Sequence, residues 1–459
     1  VMEDTVRREW QGKSTAVVGL GVSNVPLIRF LRRFGAAVSG RDKATREALG
    51  ERARELEELG VELILGEGYL DGLEAYDVVF LSPGIPKNLP QLQALAGKVQ
   101  FSSEIGLVMR YCRAPILGIT GSSGKTTTTT LIGEMLRASG IETYVGGNIG
   151  TPLIEKVLDI PPQARVVLEL SSFQLEQLTV SPQYALVTNF SENHLDVHGT
   201  MENYAAAKAR IYRFQHSTDA AVVNGDDPAV LAMSAQTPAR RYYFSRRREV
   251  ERGTFLRDGL LLWRDEQGER AFARTSEVRL LGEHNLENLL AAAVMAHLGG
   301  ASWEAIGQVC RTFTGVAHRL ELVGEKNGVR YYNDSIATTP VRAVAGLRSF
   351  SGPVILLAGG YDKKLSFAPL AAEIHARAKA VVVFGETAQQ IADAVQSVGE
   401  FPIYRAADLQ EAVRIGESLA APGDVVLLSP GCASYDMYRN FEERGAHFRR
   451  LVAELIKEG

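Results

Sequence analysis

Short apolar runs rich in β-branched residues alternate along this chain with segments whose apolar residues recur at helical spacing. The run at 15–18 leads into a glycine turn at 19–21, and Val25 to Phe34 then carries apolar residues at the spacing of one helix face. A second run ends at Asp42, and another occupies Val78 to Leu81. Strands that alternate with helices in this way are typical of parallel sheets with crossover helices. The N-terminal part therefore predicts one doubly wound α/β unit.

The same alternation starts again twice further along the chain. The later strand-like runs are 114–120, 166–168, 329–332, 354–357, 380–384 and 425–428. The charged segment 246–277 holds short strand-like pieces and is predicted to form an antiparallel ribbon. We place domain boundaries near residues 103 and 315. The chain is thus predicted to be α/β throughout, with three domains.

Composition and charge narrow the function classes. The chain has 459 residues, 50 lysines and arginines, 54 aspartates and glutamates, and a net charge of -4. No broad basic field is available to hold nucleic acid or an anionic membrane, so neither is an expected partner. Cys112, Cys310 and Cys432 form no CxxC pair, no apolar stretch approaches about 18 residues, and the N-terminus has no signal-peptide pattern. We expect a cytoplasmic protein.

A glycine loop with a lysine lies between one of these strands and the helix after it. Residues 121–126 read Gly-Ser-Ser-Gly-Lys-Thr, a pattern that directs backbone N–H groups and a helix N-terminus at phosphate. Lys125 would neutralise charge on a transferring phosphoryl group, and Thr126 would offer its hydroxyl to Mg²⁺. Ile119 stands where a longer GxxxxGK[ST] loop has its first glycine, so only the shorter GxxGK[ST] form fits. The alternative is a solvated turn with a helix-capping threonine.

Two further residues have the chemistry of a phosphoryl-transfer site. Glu169 closes an apolar run, which places its carboxylate at the carboxyl end of a strand, where ligands bind. Lys208 lies in a helical segment. Taken alone, that position favours the interpretation of a surface lysine whose stem packs along the helix.

His194 and His198 are spaced as zinc ligands, but Leu195 fills the glutamate position of the HExxH motif, which argues against a zinc site.

A second glycine loop near the N-terminus nearly meets the dinucleotide fingerprint. Gly19 and Gly21 are followed about 20 residues later by Asp42, as in NAD-binding folds. Asn24 stands where that fingerprint has its third glycine. Taken alone, this loop indicates an NAD-dependent oxidoreductase, whereas the separate loop at Lys125 argues against that function.

Segments from two parts of the chain together resemble the muramyl ligase family. In the central part they are Ile119–Thr127, Glu169–Gln174, Thr188–Asp196, Tyr204–Tyr212 and His284–Asn288. In the last part they are His318–Glu321, Asn333–Thr338, Gly359–Lys364 and Ser429–Asp436. The first of these segments is also similar to the ATP loop of folylpolyglutamate synthases. The order and spacing in the last part are most similar to the family members that add D-glutamate.

The resemblance implies a fold and an activity. The implied fold is a Rossmann-like N-terminal domain over 1–103, a central P-loop ATPase-like α/β domain over 104–315 and a Rossmann-like C-terminal domain over 316–459. The implied reaction joins D-glutamate to UDP-N-acetylmuramoyl-L-alanine through an acyl phosphate, with ATP and a pair of Mg²⁺ ions. Such a ligase would work as a monomer in the synthesis of peptidoglycan precursors in the cytoplasm.

The resemblance also assigns residues to the site. The catalytic residues would be Lys125, His194 and Lys208, and the metal ligands Thr126, Glu169, His194 and Lys208, the last as a carbamate formed with CO₂. ATP would contact Gly121, Ser122, Ser123, Gly124, Lys125, Thr126, Thr127, Asn288, Arg319 and Asp334. The uridine diphosphate substrate would contact Ser23, Asp42, Lys43, Ser82, Gly84, Asn148, Ser171 and Gln174. The amino acid would contact Thr338, Lys363, Ser434 and Phe441.

Some residues depart from the family pattern or have other interpretations. Asn193 stands where the family commonly has aspartate, and Ile336 replaces a lysine, so a related ligase adding L-glutamate or another amino acid is an alternative. Asn288 could cap a core helix, and Lys363 could be a solvated loop lysine. A ligase-like subunit that activates a carboxylate for a glutaminase partner would be marked by a cysteine cluster or a missing amino-acid domain. The chain has a complete N-terminal domain of the kind that binds uridine diphosphate in the muramyl ligases, which argues against the function of a folylpolyglutamate synthase.

Overall fold

A five-stranded parallel sheet begins the fold of the computed structural model, which describes residues 1–191 and 199–459. Its strands are β1 Ser14–Val18, β2 Ala37–Asp42, β3 Glu62–Leu65, β4 Val78–Leu81 and β5 Gln100–Ser102. The helices around it are α1 Met2–Trp10, α2 Asn24–Arg33, α3 Arg46–Leu49, α4 Glu51–Glu58, α5 Pro90–Gln93 and α6 Glu104–Tyr111, with a 3₁₀ turn at Leu73–Ala75. The strand order is β3-β2-β1-β4-β5, so the chain reverses its direction of winding between β1 and β4. A crevice at that reversal is where doubly wound sheets bind ligands.

A nine-stranded sheet follows. Its strands are β6 Ile116–Thr120, β7 Thr143–Gly147, β8 Arg165–Glu169, β9 Tyr184–Val187, β10 Ala220–Asn224, β11 Arg240–Ser245, β12 Gly253–Arg257, β13 Leu260–Asp265 and β14 Gly268–Arg274. The helices of this part are α7 Lys125–Ala138, α8 Ser172–Leu175, α9 Met201–Arg213, α10 Pro228–Met233, α11 Glu283–Leu298 and α12 Trp303–Thr312, with 3₁₀ turns at Val157–Asp159 and Thr275–Glu277. Strand β6 pairs with β8 on one side and β9 on the other, both in parallel. The carboxyl ends of these three strands therefore meet at one edge of the sheet.

The last part of the chain forms a six-stranded sheet of its own. Its strands are β15 Glu321–Lys326, β16 Val329–Asn333, β17 Val354–Gly359, β18 Ala378–Phe384, β19 Ile403–Arg405 and β20 Val425–Leu428. Its helices are α13 Pro340–Arg348, α14 Ala368–Arg377, α15 Ala388–Val398, α16 Leu409–Leu419 and α17 Phe441–Lys457. The order is β15-β16-β20-β17-β18-β19, and only β15 runs antiparallel to its neighbour among these described strands.

Hydrophobic burial explains why these segments fold as they do. Residues of β1, α6 and β8 belong to one continuous core, which includes Val17, Val108 and Val166. The apolar runs of the last sheet are buried on both faces, as expected for parallel strands covered by helices. The chain divides into one unit of residues 1–278 and 284–311 and a second of residues 279–283 and 312–459.

The architecture confirms the predicted α/β class and most of the predicted elements. Strands at Val78–Leu81 and Val425–Leu428 match the apolar runs, and the helix predicted from Val25 occupies Asn24–Arg33. The predicted ribbon forms, since β13 pairs antiparallel with both β12 and β14. The boundaries near 103 and 315 stay a proposal. No helix in the described ranges has the length and apolarity needed to cross a bilayer.

A buried carboxyl group lies in the first turn of α6. The Ser103 hydroxyl accepts the N–H of Gly106 and caps the helix, whereas Glu104 is 6% exposed and accepts a hydrogen bond from the backbone of Ile154. Burial raises the pKa of Glu104 to about 7. The protonated carboxyl therefore suits this site better than the carboxylate.

We expect Glu104→Gln to flatten the dependence of stability on pH. Because the pKa of Glu104 is raised in the folded chain, its contribution to stability is fully present below the unfolded pKa and is lost as pH rises towards about 7. The loss is on the order of 3 kcal/mol. Thermal unfolding of both proteins between pH 5 and pH 8 measures it, and the wild type should lose more stability than the variant.

The matched control is Glu51→Gln, because Glu51 is also the first residue of an eight-residue helix but is exposed. Its pH profile should follow the wild type. Parallel profiles for wild type and Glu104→Gln would contradict the prediction.

Candidate active site

The glycine loop at 121–124, called the phosphate loop below, connects β6 to α7 and is held in shape by two glycines. Gly121 and Gly124 have φ of 151° and 80°, a region that glycine tolerates and other residues rarely adopt. A Cβ on Gly121 would lie 1.8 Å from Thr188 Oγ1, and one on Gly124 would lie 2.4 Å from Asn288 Oδ1. The first N–H groups of the fourteen-residue helix that follows are oriented for phosphate. The structure thus confirms the predicted strand, loop and helix.

A neighbouring strand end supports this loop from one side. The N–H of Ser122 donates to the carbonyl of Asn189 at 3.0 Å, and the N–H of Ser123 donates to Asn189 Oδ1 at 2.9 Å. The Thr188 hydroxyl donates to the Ser123 carbonyl at 2.7 Å. The Ser122 hydroxyl lies 3.1 Å from the Tyr204 hydroxyl. The loop is therefore preorganised by side chains that follow β9.

Two lysines converge on one carbonyl oxygen of the loop. Lys125 Nζ donates to Gly121 O at 2.9 Å, and Lys208 Nζ donates to the same oxygen at 2.8 Å. Lys208 is 1% exposed, which excludes the surface-lysine interpretation. Burial, together with the charge of Lys125, lowers the pKa of Lys208 to about 7. An amine with such a pKa is available in its neutral, nucleophilic form near pH 7.

Glu169 stands at the end of β8 with its side chain against the loop. Its carboxylate accepts the Thr126 hydroxyl at 2.9 Å and is 3% exposed. Its carbonyl accepts the N–H of Asn148 at 2.7 Å. The two strands approach so closely here that a Cβ on Gly147 would lie 2.2 Å from that carbonyl oxygen. A hydroxyl and a carboxylate oxygen together form the type of donor set that Mg²⁺ prefers, so the residues fit this metal.

The histidine assigned to the metal cannot be placed. His194, Asn193 and His198 lie within 192–198, outside the described residues. Within the described ranges, His, Cys, Asp and Glu side chains form no group of three or more that could hold a metal. The role of His194 therefore stays a prediction.

A cavity of about 440 Å³ opens beside the two lysines. Its lining residues are Pro83, Gly84, Ile85, Pro86, Lys87, Lys125, Asn148, Ser171, Ser172, Phe173, Glu176 and Lys208. It brings three residues predicted to bind the nucleotide substrate, Gly84, Asn148 and Ser171, together with the two lysines predicted to be catalytic. A larger cavity of about 960 Å³ near α6 contains none of the predicted site residues.

Gln174 acts on this cavity through its neighbour. Its side-chain oxygen accepts the N–H of Ser171 at 3.0 Å, and its own N–H donates to the Ser171 hydroxyl at 3.2 Å. Gln174 is buried and is absent from the cavity lining. This reciprocal cap orients Ser171 at the start of α8.

Asn288 contacts the phosphate loop from α11. Its side-chain oxygen accepts the Thr128 hydroxyl at 3.2 Å, and its amide donates to Asn285 at 3.0 Å. That oxygen also packs against Gly124, so Asn288 lies beside the phosphate loop. This position differs from that of a residue that only caps a core helix.

The N-terminal glycine loop is closed by its own polar groups. The two carboxylate oxygens of Asp42 accept the N–H groups of Leu20 and Ala44, both at 2.8 Å. The Asn24 amide donates to the Gly19 carbonyl at 2.8 Å, which explains how asparagine replaces a glycine here. A Cβ on Gly19 would lie 2.5 Å from Ser82 Cβ. Lys43 is exposed and Ser23 half-buried at the rim of the same loop.

In the second unit, Asp334 organises the turn that carries Arg319. Its carboxylate accepts the N–H of Leu320 at 3.1 Å and the Ser429 hydroxyl at 2.8 Å. Burial raises the pKa of Asp334 to about 7. His318 and Leu320 both have positive φ, so the turn presents Arg319 as an exposed side chain.

The residues predicted to bind the amino-acid substrate lie in this unit, and the structure brings some of them close to one another. The Ser335 hydroxyl donates to the Phe441 carbonyl at 2.7 Å, and Arg444 Nη2 donates to the Ser335 carbonyl at 2.9 Å. Within the described residues, Ser434 Oγ and Arg444 Nη1 are buried without a hydrogen-bond partner. A buried polar atom of this kind is a site where a ligand can bind.

Two other predicted residues are placed less closely. Gly360 and Ala433 come together, since a Cβ on Gly360 would lie 2.3 Å from the Ala433 carbonyl, which brings the loop of Lys363 to that of Ser434. Lys363 is exposed and Thr338 half-buried.

Three family models match the chain. They are the Mur ligase MurD-like N-terminal domain over residues 13–100, the Mur ligase middle domain over 119–296 and the Mur ligase glutamate ligase domain over 318–432. A UDP-N-acetylmuramoylalanine–D-glutamate ligase from Symbiobacterium thermophilum is 52% identical over 96% of this chain and 98% of its own length. The chain belongs to the Mur ligase family. The sequence resemblance is thereby confirmed.

Other Mur ligases extend the comparison. Proteins of the same name from Acetivibrio thermocellus and Clostridium botulinum are 42% and 44% identical, over 97% and 96% of this chain and 97% of each of theirs. The crystal structure of UDP-N-acetylmuramate-alanine ligase MurC from Thermotoga maritima has a TM-score of 0.53 at 18% identity, covering 96% of this chain and 100% of that one. That likeness shows a shared fold.

Sequence reasoning missed several residues that lie beside the predicted site residues of each unit. Asn189, Tyr204, Lys87 and Arg444 were not singled out, although Asn189 and Tyr204 lie inside segments that carry the family resemblance. The polar residues Thr188 and Asn189 follow directly after the apolar run of β9, and that position was a signal for Asn189. Lys87 and Arg444 carry no local pattern, because only their tertiary contacts distinguish them from surface cations.

Proposed function

We propose that this Mur ligase uses ATP to join the carboxylate of UDP-N-acetylmuramoyl-L-alanine to the amine of D-glutamate. The observation that carries the proposal is that Lys125 and the buried Lys208 both donate to the phosphate loop and both line the cavity that Gly84 and Asn148 also line. Relatives with the corresponding name are 42% to 52% identical over nearly the whole chain. The product would be a precursor of peptidoglycan, formed in the cytoplasm by a monomer.

The first step is phosphoryl transfer. A carboxylate oxygen of the nucleotide sugar forms a bond to the γ-phosphorus of ATP, the bond to ADP breaks, and an acyl phosphate results. We assign to Lys125 and the loop N–H groups the stabilisation of charge on the transferring group. Residues 121–127, Asn288, Arg319 and Asp334 are the proposed ATP contacts.

Thr126, Glu169, His194 and Lys208 as a carbamate are the proposed ligands for a pair of Mg²⁺ ions. Bound Mg²⁺ would neutralise phosphate oxygens and so favour attack by an anionic carboxylate. The carbamate would form when the neutral amine of Lys208 adds to CO₂ and releases a proton. Its burial removes competing water from that amine.

The second step forms the amide bond. The amine nitrogen of D-glutamate attacks the acyl carbon, phosphate leaves, and the nitrogen loses a proton. Thr338, Lys363, Ser434 and Phe441 are the proposed contacts of the amino acid, and a cationic lysine suits its second carboxylate. The proposed contacts of the uridine diphosphate are Ser23, Asp42, Lys43 and Ser82. Asp42 also fixes the N-terminal loop, since its two carboxylate oxygens accept backbone N–H groups.

Phosphate release from ATP tests the proposal. Purified protein is supplied with Mg²⁺, ATP and UDP-N-acetylmuramoyl-L-alanine, and with glutamate, aspartate, alanine and lysine of both hands. We expect release to require the nucleotide sugar and D-glutamate, with D-glutamate favoured over L-glutamate by about 100-fold or more. Preference for another amino acid would revise the acceptor, and no release under any condition would reject the ligase mechanism.

A further inference from the structure

Lys87 lines the same cavity as Lys125 and Lys208, and the proposed reaction does not use it. It follows the Ser82–Pro86 segment after β4. Its amine lies 3.1 Å from Glu176 Oε2, with the two side chains 33% and 30% exposed. Burial lowers the pKa of Lys87 although the carboxylate of Glu176 opposes that effect. The pair is therefore partly shielded from water but keeps contact with solvent.

Two of the amines that line this cavity are available as cations. Among the described residues, the lining holds the amines of Lys87, Lys125 and Lys208 and a single carboxylate, that of Glu176. Lys208 is the amine proposed to become a carbamate, so Lys87 and Lys125 are the cations of the lining. A cation in a concave site attracts an anionic ligand.

The three amines differ in what holds them. Lys125 and Lys208 donate to a backbone carbonyl of the phosphate loop, which is part of a rigid turn. Lys87 is held by Glu176 through a partly exposed ion pair, and such pairs contribute little to stability. A ligand carboxylate can therefore replace Glu176 at small cost, whereas it cannot replace the loop carbonyl.

We propose that Lys87 is a substrate-binding residue whose amine leaves Glu176 and binds an anionic oxygen of the nucleotide-sugar substrate. This inference rests on the proposed function. The substrate has two anionic groups, its carboxylate and its diphosphate. Because Lys125 and Lys208 line the same cavity, we assign the carboxylate, the group to be phosphorylated, to Lys87.

Opposite variants of the pair test the proposal. Lys87→Met should raise the KM for the nucleotide sugar about tenfold, the effect of about 1.4 kcal/mol in binding, with kcat and the KM for ATP changed less than about twofold. Lys87→Arg should recover most of the lost affinity. Glu176→Gln removes the competing carboxylate and should leave the KM for the nucleotide sugar unchanged or lower it. The matched control is Lys98→Met, because Lys98 is an exposed lysine outside the cavity lining.

A purely structural ion pair predicts a different pattern. Lys87→Met and Glu176→Gln would then lower the melting temperature alike and raise no KM selectively. Equal effects of the two variants, or an unchanged KM in Lys87→Met, overturn the proposal.

A measurement on the wild type covers the case in which Lys87→Met does not fold. Acetylation of lysines by an amine-reactive ester is followed by peptide mass spectrometry with and without ligand. UDP-N-acetylmuramoyl-L-alanine should protect Lys87 at least about fivefold, the protection expected when over four fifths of the sites are occupied. UDP-N-acetylglucosamine, which has the diphosphate but no carboxylate, should protect it weakly. Equal protection by both ligands would assign the diphosphate instead, and no protection by either would overturn the proposal.

The acetylation experiment measures binding of the nucleotide sugar and does not require turnover. A chain that binds the nucleotide sugar and protects Lys87 but releases no phosphate would refute the ligase function and leave the assignment of Lys87 intact. A chain that releases phosphate normally without protecting Lys87 would do the reverse.

Discussion

We expect Lys125→Ala to abolish phosphate release from ATP. The ammonium group stands at the start of α7 and reaches back over the phosphate loop to Gly121, where it can follow charge as it moves from the γ-phosphate to ADP. Removing a preorganised cation from such a site lowers kcat by about 10³-fold or more. Phosphate release with saturating substrates measures the loss.

Binding measurements separate catalysis from folding in this variant. The circular dichroism spectrum and the affinity for the nucleotide sugar should stay close to wild type. The matched control Lys156→Ala replaces an exposed lysine of the same unit and should turn over normally. Near-normal turnover in Lys125→Ala would rule out the role assigned to its ammonium group.

We expect Lys208→Ala to lose activity and a small added carboxylate to restore part of it. Lys208 is 1% exposed, so truncation leaves a space inside the protein, and formate or acetate can place a carboxylate there in place of the carbamate. We expect a loss of about 10³-fold and a partial recovery that saturates with the concentration of the acid. Phosphate release across a series of acids of increasing size measures the recovery.

The control for rescue is Lys125→Ala, which no acid should restore because its missing group is a cation. An independent check uses ¹³C-labelled CO₂, which should give a carbamate resonance in the wild type that is absent from Lys208→Ala. Failure of every acid, together with no such resonance, would contradict the carbamate.

Much of this site could be predicted from sequence because its parts are local. The phosphate loop needs glycine at two positions with positive φ, followed by lysine at the first turn of a helix, and this requirement leaves a contiguous pattern. Glu169 was predicted at a strand end, and β8 places it there. The family resemblance supplied the remaining assignments, of which His194 lies outside the described residues.

Other parts of the site depend on contacts that no local pattern records. Lys208 was favoured, by its residue type and helix alone, as a surface lysine, yet its amine donates to a carbonyl 87 positions away. The N-terminal loop indicated NAD on its own, and only the structure shows that both Asp42 oxygens accept backbone N–H groups. Arg444 lies in an ordinary amphipathic helix, and its burial follows from the loops that pack on it.

The sequence by itself determined which segments are strands and helices, and which loop has the glycines and the lysine suited to phosphate. The strands and helices are encoded by the spacing of apolar residues, and the loop is encoded by its glycines. Each signal extends over a few neighbouring positions. Only the tertiary structure decided which amines line the cavity, because they come from segments distant along the chain. Lys87 follows β4 of the first sheet, Lys125 begins α7, and Lys208 lies in α9, and only the folded chain brings the three together.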